Sequence, residues 1–135
     1  MEIPINYWAV LVAGVANMVV GFLWYGPVFG NMWKRLMGLT DESMKNMPLT
    51  ATQAIVGGFI TALIMAYVLA NFAFMAGAMG VSGAFELAFW VWLGFFLTNT
   101  AGSFLWEGRP FKLFVLNATE QLVALFAMAL ILVLW

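Results

Sequence analysis

The sequence contains neither cysteine nor histidine. Disulfides, thiol nucleophiles and the usual zinc and haem ligands are excluded together. Charge is scarce as well. Asp, Glu, Lys and Arg make up 8% of the chain, where a water-soluble domain carries about 25%. Five cations and six anions leave a net charge of −1, which offers no basic face to a nucleic acid. No nucleophile–base pair, metal-ligand cluster or glycine-rich phosphate loop is present, so neither an enzyme nor a bound cofactor or metal is expected. The opening MEIPINYW has an acidic residue and no Lys or Arg. It lacks the positive n-region of a secretory signal, and the first apolar segment is expected to be retained.

What fills the chain instead is apolar: 65% of 135 residues, with a mean hydropathy of +1.00. A surface so poor in charge must face lipid, and the bilayer is the expected partner of a single transmembrane domain over residues 1–135. Four segments reach the roughly 20 residues that a helix needs to cross a bilayer. They are Asn6–Gly26, Leu49–Phe74, Gly83–Trp106 and Phe111–Trp135. Their uninterrupted apolar runs favour helices over the short alternating strands of a barrel. The expected fold class is therefore all-α, a four-helix bundle. The cations Lys34, Arg35, Lys45, Arg109 and Lys112 all fall in or beside the first and third connections. The positive-inside bias places those connections in the cytoplasm and both termini outside.

Within the first connection, residues 29–38 repeat apolar side chains at helical spacing, with Asn31, Lys34 and Arg35 on the other face. The pattern predicts a short amphipathic helix along the cytoplasmic headgroup layer, with Trp33 turned inward and Lys34 and Arg35 toward anionic lipid. Thr40 before Asp41-Glu42 is predicted to cap a further turn. Pro48 is expected to open the second span and Pro110 the fourth.

An octet, FLWYGPVF at residues 22–29, returns as FLWEGRPF at residues 104–111. Sliding residues 7–29 onto 89–111 without a gap makes eight of 23 positions identical, including Trp8/Trp90, Asn17/Asn99, Trp24/Trp106 and Gly26/Gly108. Sliding residues 51–67 onto 118–134 gives seven of 17, among them Thr52/Thr119 and Phe59/Phe126. The chain reads as a duplicated two-helix hairpin. Residues 1–74 form the first copy, with the interfacial helix inserted, and residues 83–135 the second. Each copy has two spans, so both enter the membrane in the same sense, a parallel 2+2 repeat about an axis along the membrane normal. The octet itself reads as punctuation: an aromatic belt of Trp24, Tyr25 and Trp106, with Gly and Pro ending the helices.

Lipid tails are as apolar as Leu, so small residues must bring the backbones together. At four-residue spacing, Ala9, Ala13, Asn17 and Gly21 mark span one, and Ala54, Gly58, Ala62, Ala66 and Ala70 mark span two. Gly94, Thr98 and Gly102 mark span three. Counted at 1.5 Å per residue, Asn17, Asn99 and Glu120 lie about 10–13 Å from the cytoplasmic ends of their spans. Thr61 lies opposite, Asn117 and Gln121 flank Glu120, and the repeat maps Gln53 onto Glu120. These six residues (Asn17, Gln53, Asn99, Asn117, Glu120 and Gln121) form the expected intramembrane polar centre. A charged, unpaired carboxylate at that depth costs at least about 2.5–3.5 kcal/mol, so Glu120 is expected to be neutral, hydrogen-bonded or wetted by a cavity.

The first forty residues resemble a small bacterial membrane-protein family known as domain of unknown function 1761. The resemblance rests on Asn6 and Trp8, the LWYGP turn at Leu23–Pro27, and the run from Phe29 to Gly38 with its basic pair Lys34-Arg35. It implies four helical spans in a bacterial inner membrane and carries over no catalytic residue. Two functions stay open on the residues. One is a small-solute or proton-linked transport or channel-type role through the centre around Glu120, for which a homo-oligomer would supply extra room. The other is a non-catalytic interaction or assembly subunit.

Overall fold

The computed structural model describes residues 3–135, leaving Met1 and Glu2 of the expected first hairpin outside it. Among these residues the ordered structure is all helical. Helix α1 (Tyr7–Leu23) runs into a π-helical turn at Trp24–Val28, followed by α2 (Gly30–Met37) and α3 (Asp41–Lys45). Helix α4 (Ala51–Ala76) is continuous. Helix α5 (Gly80–Val91), a second π-helical stretch at Trp92–Leu97 and α6 (Thr98–Leu105) make one long rod. Helix α7 (Phe111–Leu134) closes the chain. The four rods Tyr7–Val28, Ala51–Ala76, Gly80–Leu105 and Phe111–Leu134 are each long and apolar enough to cross a membrane, so this is a multi-pass membrane protein.

Local chemistry sets the helix ends. Asn6 Oδ1 accepts the backbone N–H groups of Trp8 and Ala9 at 3.1 and 3.2 Å, which starts α1. Thr40 caps α3 as expected, its hydroxyl oxygen accepting the Ser43 N–H at 3.1 Å. The second span opens at Thr50 and not at Pro48. Thr50 Oγ1 accepts the Gln53 N–H, and Gln53 Oε1 accepts the Thr50 N–H at 3.0 Å, a reciprocal box that satisfies two otherwise free donors.

The two copies of the octet fold differently. In the first, Pro27 lacks the N–H that Leu23 would take in an α-helix, and the chain widens instead of ending. Phe29 N–H then donates to Trp24 O at 2.9 Å, a five-residue step. Gly30 follows at a close approach: a Cβ there would lie 2.9 Å from the Tyr25 carbonyl oxygen. In the second copy α6 stops at Leu105, and Gly108 turns the chain at φ +68°, a region open to glycine at little cost. Trp24 is half-buried, whereas Trp106 is 87% exposed. Trp24 is tied to another helix, a contact the belt reading did not anticipate.

Helix α7 is the hub. It packs against α1 and α5 and also touches α4, and α1 packs along α4, while α4 and α5 meet only briefly. Buried side chains concentrate toward the end that holds the termini. They are Ala9, Val10 and Ala13 of α1, Ala66, Leu69 and Ala73 of α4, Ala84 and Ala88 of α5, and Ala124, Leu125, Met128 and Ala129 of α7. The approach is close enough that a Cβ on Gly14 would meet Leu63 Cδ2 at 2.8 Å. Toward the end that holds the five cations, only α7, through Leu113, Leu116 and Ala118, and Gly30 of α2 contribute buried residues.

The small-residue stripes therefore apply in part. Ala62 and Ala66 are wholly buried, but Ala54 is exposed. On the third rod the stripe is misplaced, with Gly94 and Thr98 exposed and Ala84 and Ala88 buried in their stead. For Thr98, which follows the π-helical stretch, the stretch supplies a reason. Its extra residue rotates everything beyond it by about 100° relative to a continuous α-helix.

Candidate functional site: a cavity around Glu120

A cavity of about 470 Å³ lies between the four rods, at mid-depth and toward the basic end. Helix α1 and its π-helical turn contribute Asn17, Met18, Gly21, Phe22 and Tyr25, and α4 contributes Gly58, Thr61 and Met65. The third rod contributes Phe96, and α7 contributes Glu120, Gln121, Ala124 and Leu125. Gly21 lies beside the acid: a Cβ there would sit in ordinary contact with Glu120 Oε1, at 3.9 Å. No polar side-chain atom is sealed away without a partner among the described residues, and Glu120 is half-buried with its carboxyl facing the cavity.

Around the cavity, α7 is held by bonds from two other rods. The Tyr25 hydroxyl donates to Asn117 Oδ1 at 2.7 Å, and the Trp24 indole N–H donates to Leu116 O at 3.2 Å. From the third rod, the Trp92 indole N–H donates to Ala118 O at 2.7 Å, and the Thr100 hydroxyl donates to Gln121 Oε1 at 2.9 Å. Trp24 and Trp92 each stand first in a π-helical stretch. The three α7 residues 116–118 thus take three tethers within a single helical turn.

The expected centre is divided by this arrangement. Asn17, Glu120 and Gln121 line the cavity together, and Asn117 sits behind it on Tyr25. Gln53 does not join them. It is exposed in the first turn of α4, where its side chain is used for capping. Asn99 is exposed and lies outside the cavity lining, turned away by the π-helical stretch that precedes it. Tyr25, read from sequence as part of an interfacial belt, belongs to the site. Its partner Asn117 lies 92 residues away, beyond any local pattern. Of the expected interfacial residues, Trp33 is half-buried with its ring centroid 5.4 Å from that of Tyr25, Lys34 is half-buried and Arg35 is exposed.

The family described as "Protein of unknown function (DUF1761)" matches residues 8–133. The chain belongs to this family. The match takes in the whole cavity and the four rods except Tyr7 and Leu134, and it extends the resemblance seen in the first forty residues to nearly the full chain. No curated protein and no solved structure matches the chain.

Proposed function

We propose that this DUF1761 protein is a small-solute or proton-linked transport or channel-type protein whose pathway runs through the Glu120 cavity. One observation carries the reading: the only acid among the cavity's lining residues stands about 13 Å inside the last rod, opposite Asn17 and facing open space. An acid held in the membrane interior is costly as mere packing and is suited to taking up and releasing a proton. The protein is no enzyme on this reading. The test is proton-linked flux into proteoliposomes. Glu120→Gln keeps the size and hydrogen-bonding capacity of a protonated acid. It is expected to abolish the flux and to leave detergent stability unchanged; undiminished flux in that variant would sink the proposal.

We further propose that the bundle is the duplicated hairpin, that α2 lies along the cytoplasmic headgroup layer with Lys34 and Arg35 toward anionic lipid, and that both termini face outward from a bacterial inner membrane. Support for the repeat comes from the matching packing of α1 on α4 and of α5 on α7 within each hairpin. Support for the orientation comes from the five cations gathered at one end. Cysteines introduced near Asn6 and near Lys45, labelled from either side of intact cells, test the orientation. The competing reading, a non-catalytic interaction or assembly subunit, is favoured by residues 51–57 of α4, which are all exposed. Co-purification of a stoichiometric partner with no Glu120-dependent flux would favour it.

A further inference from the structure

The cavity's remaining lining narrows the solute. Phe22, Tyr25 and Phe96 bring three aromatic rings to it, and Met18 and Met65 bring two thioethers. No Lys or Arg lines it. From the rod Tyr7–Val28, the titratable group facing Glu120 is Tyr25; the lining residues of α4 and of the third rod carry none, and α7 adds no other charge. Two of the neutral polar lining groups, Thr61 and Gln121, are engaged. Thr61 donates to Gly58 O at 2.8 Å, and Gln121 Oε1 already accepts from Thr100.

We propose that the cavity binds a lipophilic organic monocation, with Glu120 as its counter-charge. This rests on the reading of the cavity as the solute pathway. Ring faces attract a cation most strongly where water is scarce, and thioether side chains adapt to irregular apolar shapes. The volume lies within the range of small-molecule sites. An anion would meet the acid with no base to offset it, and a sugar-like solute would set its hydroxyls against Phe22, Phe96, Met18 and Met65. Met65 of α4 and Phe96 of the third rod both line the cavity, and a lipid-soluble cation would enter from the membrane between those two rods, which meet only briefly where α5 faces α4. Binding balances charge. The carboxyl O–H gives its proton to water as the cation arrives, so one cation replaces one proton.

The probe is tetraphenylphosphonium, titrated calorimetrically into the purified full chain in two buffers of different ionisation heat. The expected result is saturable binding with about one proton released per cation. The apparent Kd should rise about tenfold for each unit by which the pH is lowered, over the acidic range in which the carboxyl is already protonated. Glu120→Gln should weaken binding by at least about tenfold with the circular dichroism and elution volume unchanged, and Phe96→Ala should weaken it several-fold while keeping the proton release. Undiminished binding in Glu120→Gln, or saturable binding with no proton release, overturns the proposal. So does a folded wild-type chain that does not bind the probe. Glu120-dependent proton flux without probe binding would overturn the cation and leave the pathway standing. Probe binding lost in Glu120→Gln, without any such flux, would support the cation site and overturn the pathway.

Discussion

The two ends of this bundle are built on different rules. At the end that holds the termini, Ala13, Ala66, Ala84, Ala88 and Met128 are all fully buried, and helices touch through small side chains. At the basic end, α4 from Ala51 to Gly57 is exposed throughout, and helices connect through hydrogen bonds from Trp24, Tyr25, Trp92 and Thr100 to α7. Between lipid-immersed helices, close van der Waals packing and interhelical hydrogen bonds are alternative ways of association. Here the two are separated by depth. The packed end supplies rigidity, and the tethered end tolerates a cavity because its bonds fix α7 without needing every gap filled.

Truncations test that contrast most strongly. Met128→Ala should cost about 2 kcal/mol or more, because lipid replaces the lost transfer energy but not the contacts around the hole. Met18→Ala, at the cavity wall, should cost less than half as much; thermal unfolding of both variants in one detergent makes the comparison. Equal losses would show that the cavity is as tightly supported as the core.

Overpacking is the next probe. Ala66→Leu should destabilise by about 1–3 kcal/mol, whereas Ala54→Leu, on the same four-residue stripe but at the open end, should stay within about 0.5 kcal/mol. Thermal unfolding reads both, and a large effect at Ala54 would mean that this face is covered in the detergent particle.

The smallest effect separates the two octets. Trp24→Phe removes the donor to Leu116 O and should cost about 0.6 kcal/mol, while Trp106→Phe should be neutral. Indole fluorescence offers a second readout, since only the Trp24 change removes a hydrogen-bonded ring.

How much of this was legible follows from the same division. The spans and the Ala62/Ala66 contact could be read from run length and spacing, because tight packing demands small residues at regular intervals. Thr40 could be read because capping is local. The placement of Asn17 and Glu120 was approached by counting depth along uninterrupted helices. The same counting misplaced Asn99, since nothing in WLGFFL announces a π-helical stretch and no proline requires one. Gln53 was assigned to the centre on the strength of its repeat mate, yet a Thr three residues earlier captured it for a cap. Tyr25 and Trp24 were hidden by their ordinary place in an aromatic belt. Their partners lie 92 residues away, and no local pattern encodes a bond of that reach.

That separation also orders the protein's biogenesis. Helix α1 leaves the ribosome well before α7, yet Trp24 and Tyr25 hydrogen-bond to α7. Each hairpin can form as soon as its second helix enters the bilayer, but Asn17 and Tyr25 must wait in lipid, or in the insertion machinery, until α7 is made. A nascent chain arrested before residue 111 would hold a closed first hairpin with its polar face still open. It should therefore remain a substrate for quality-control proteases until α7 arrives to cover that face.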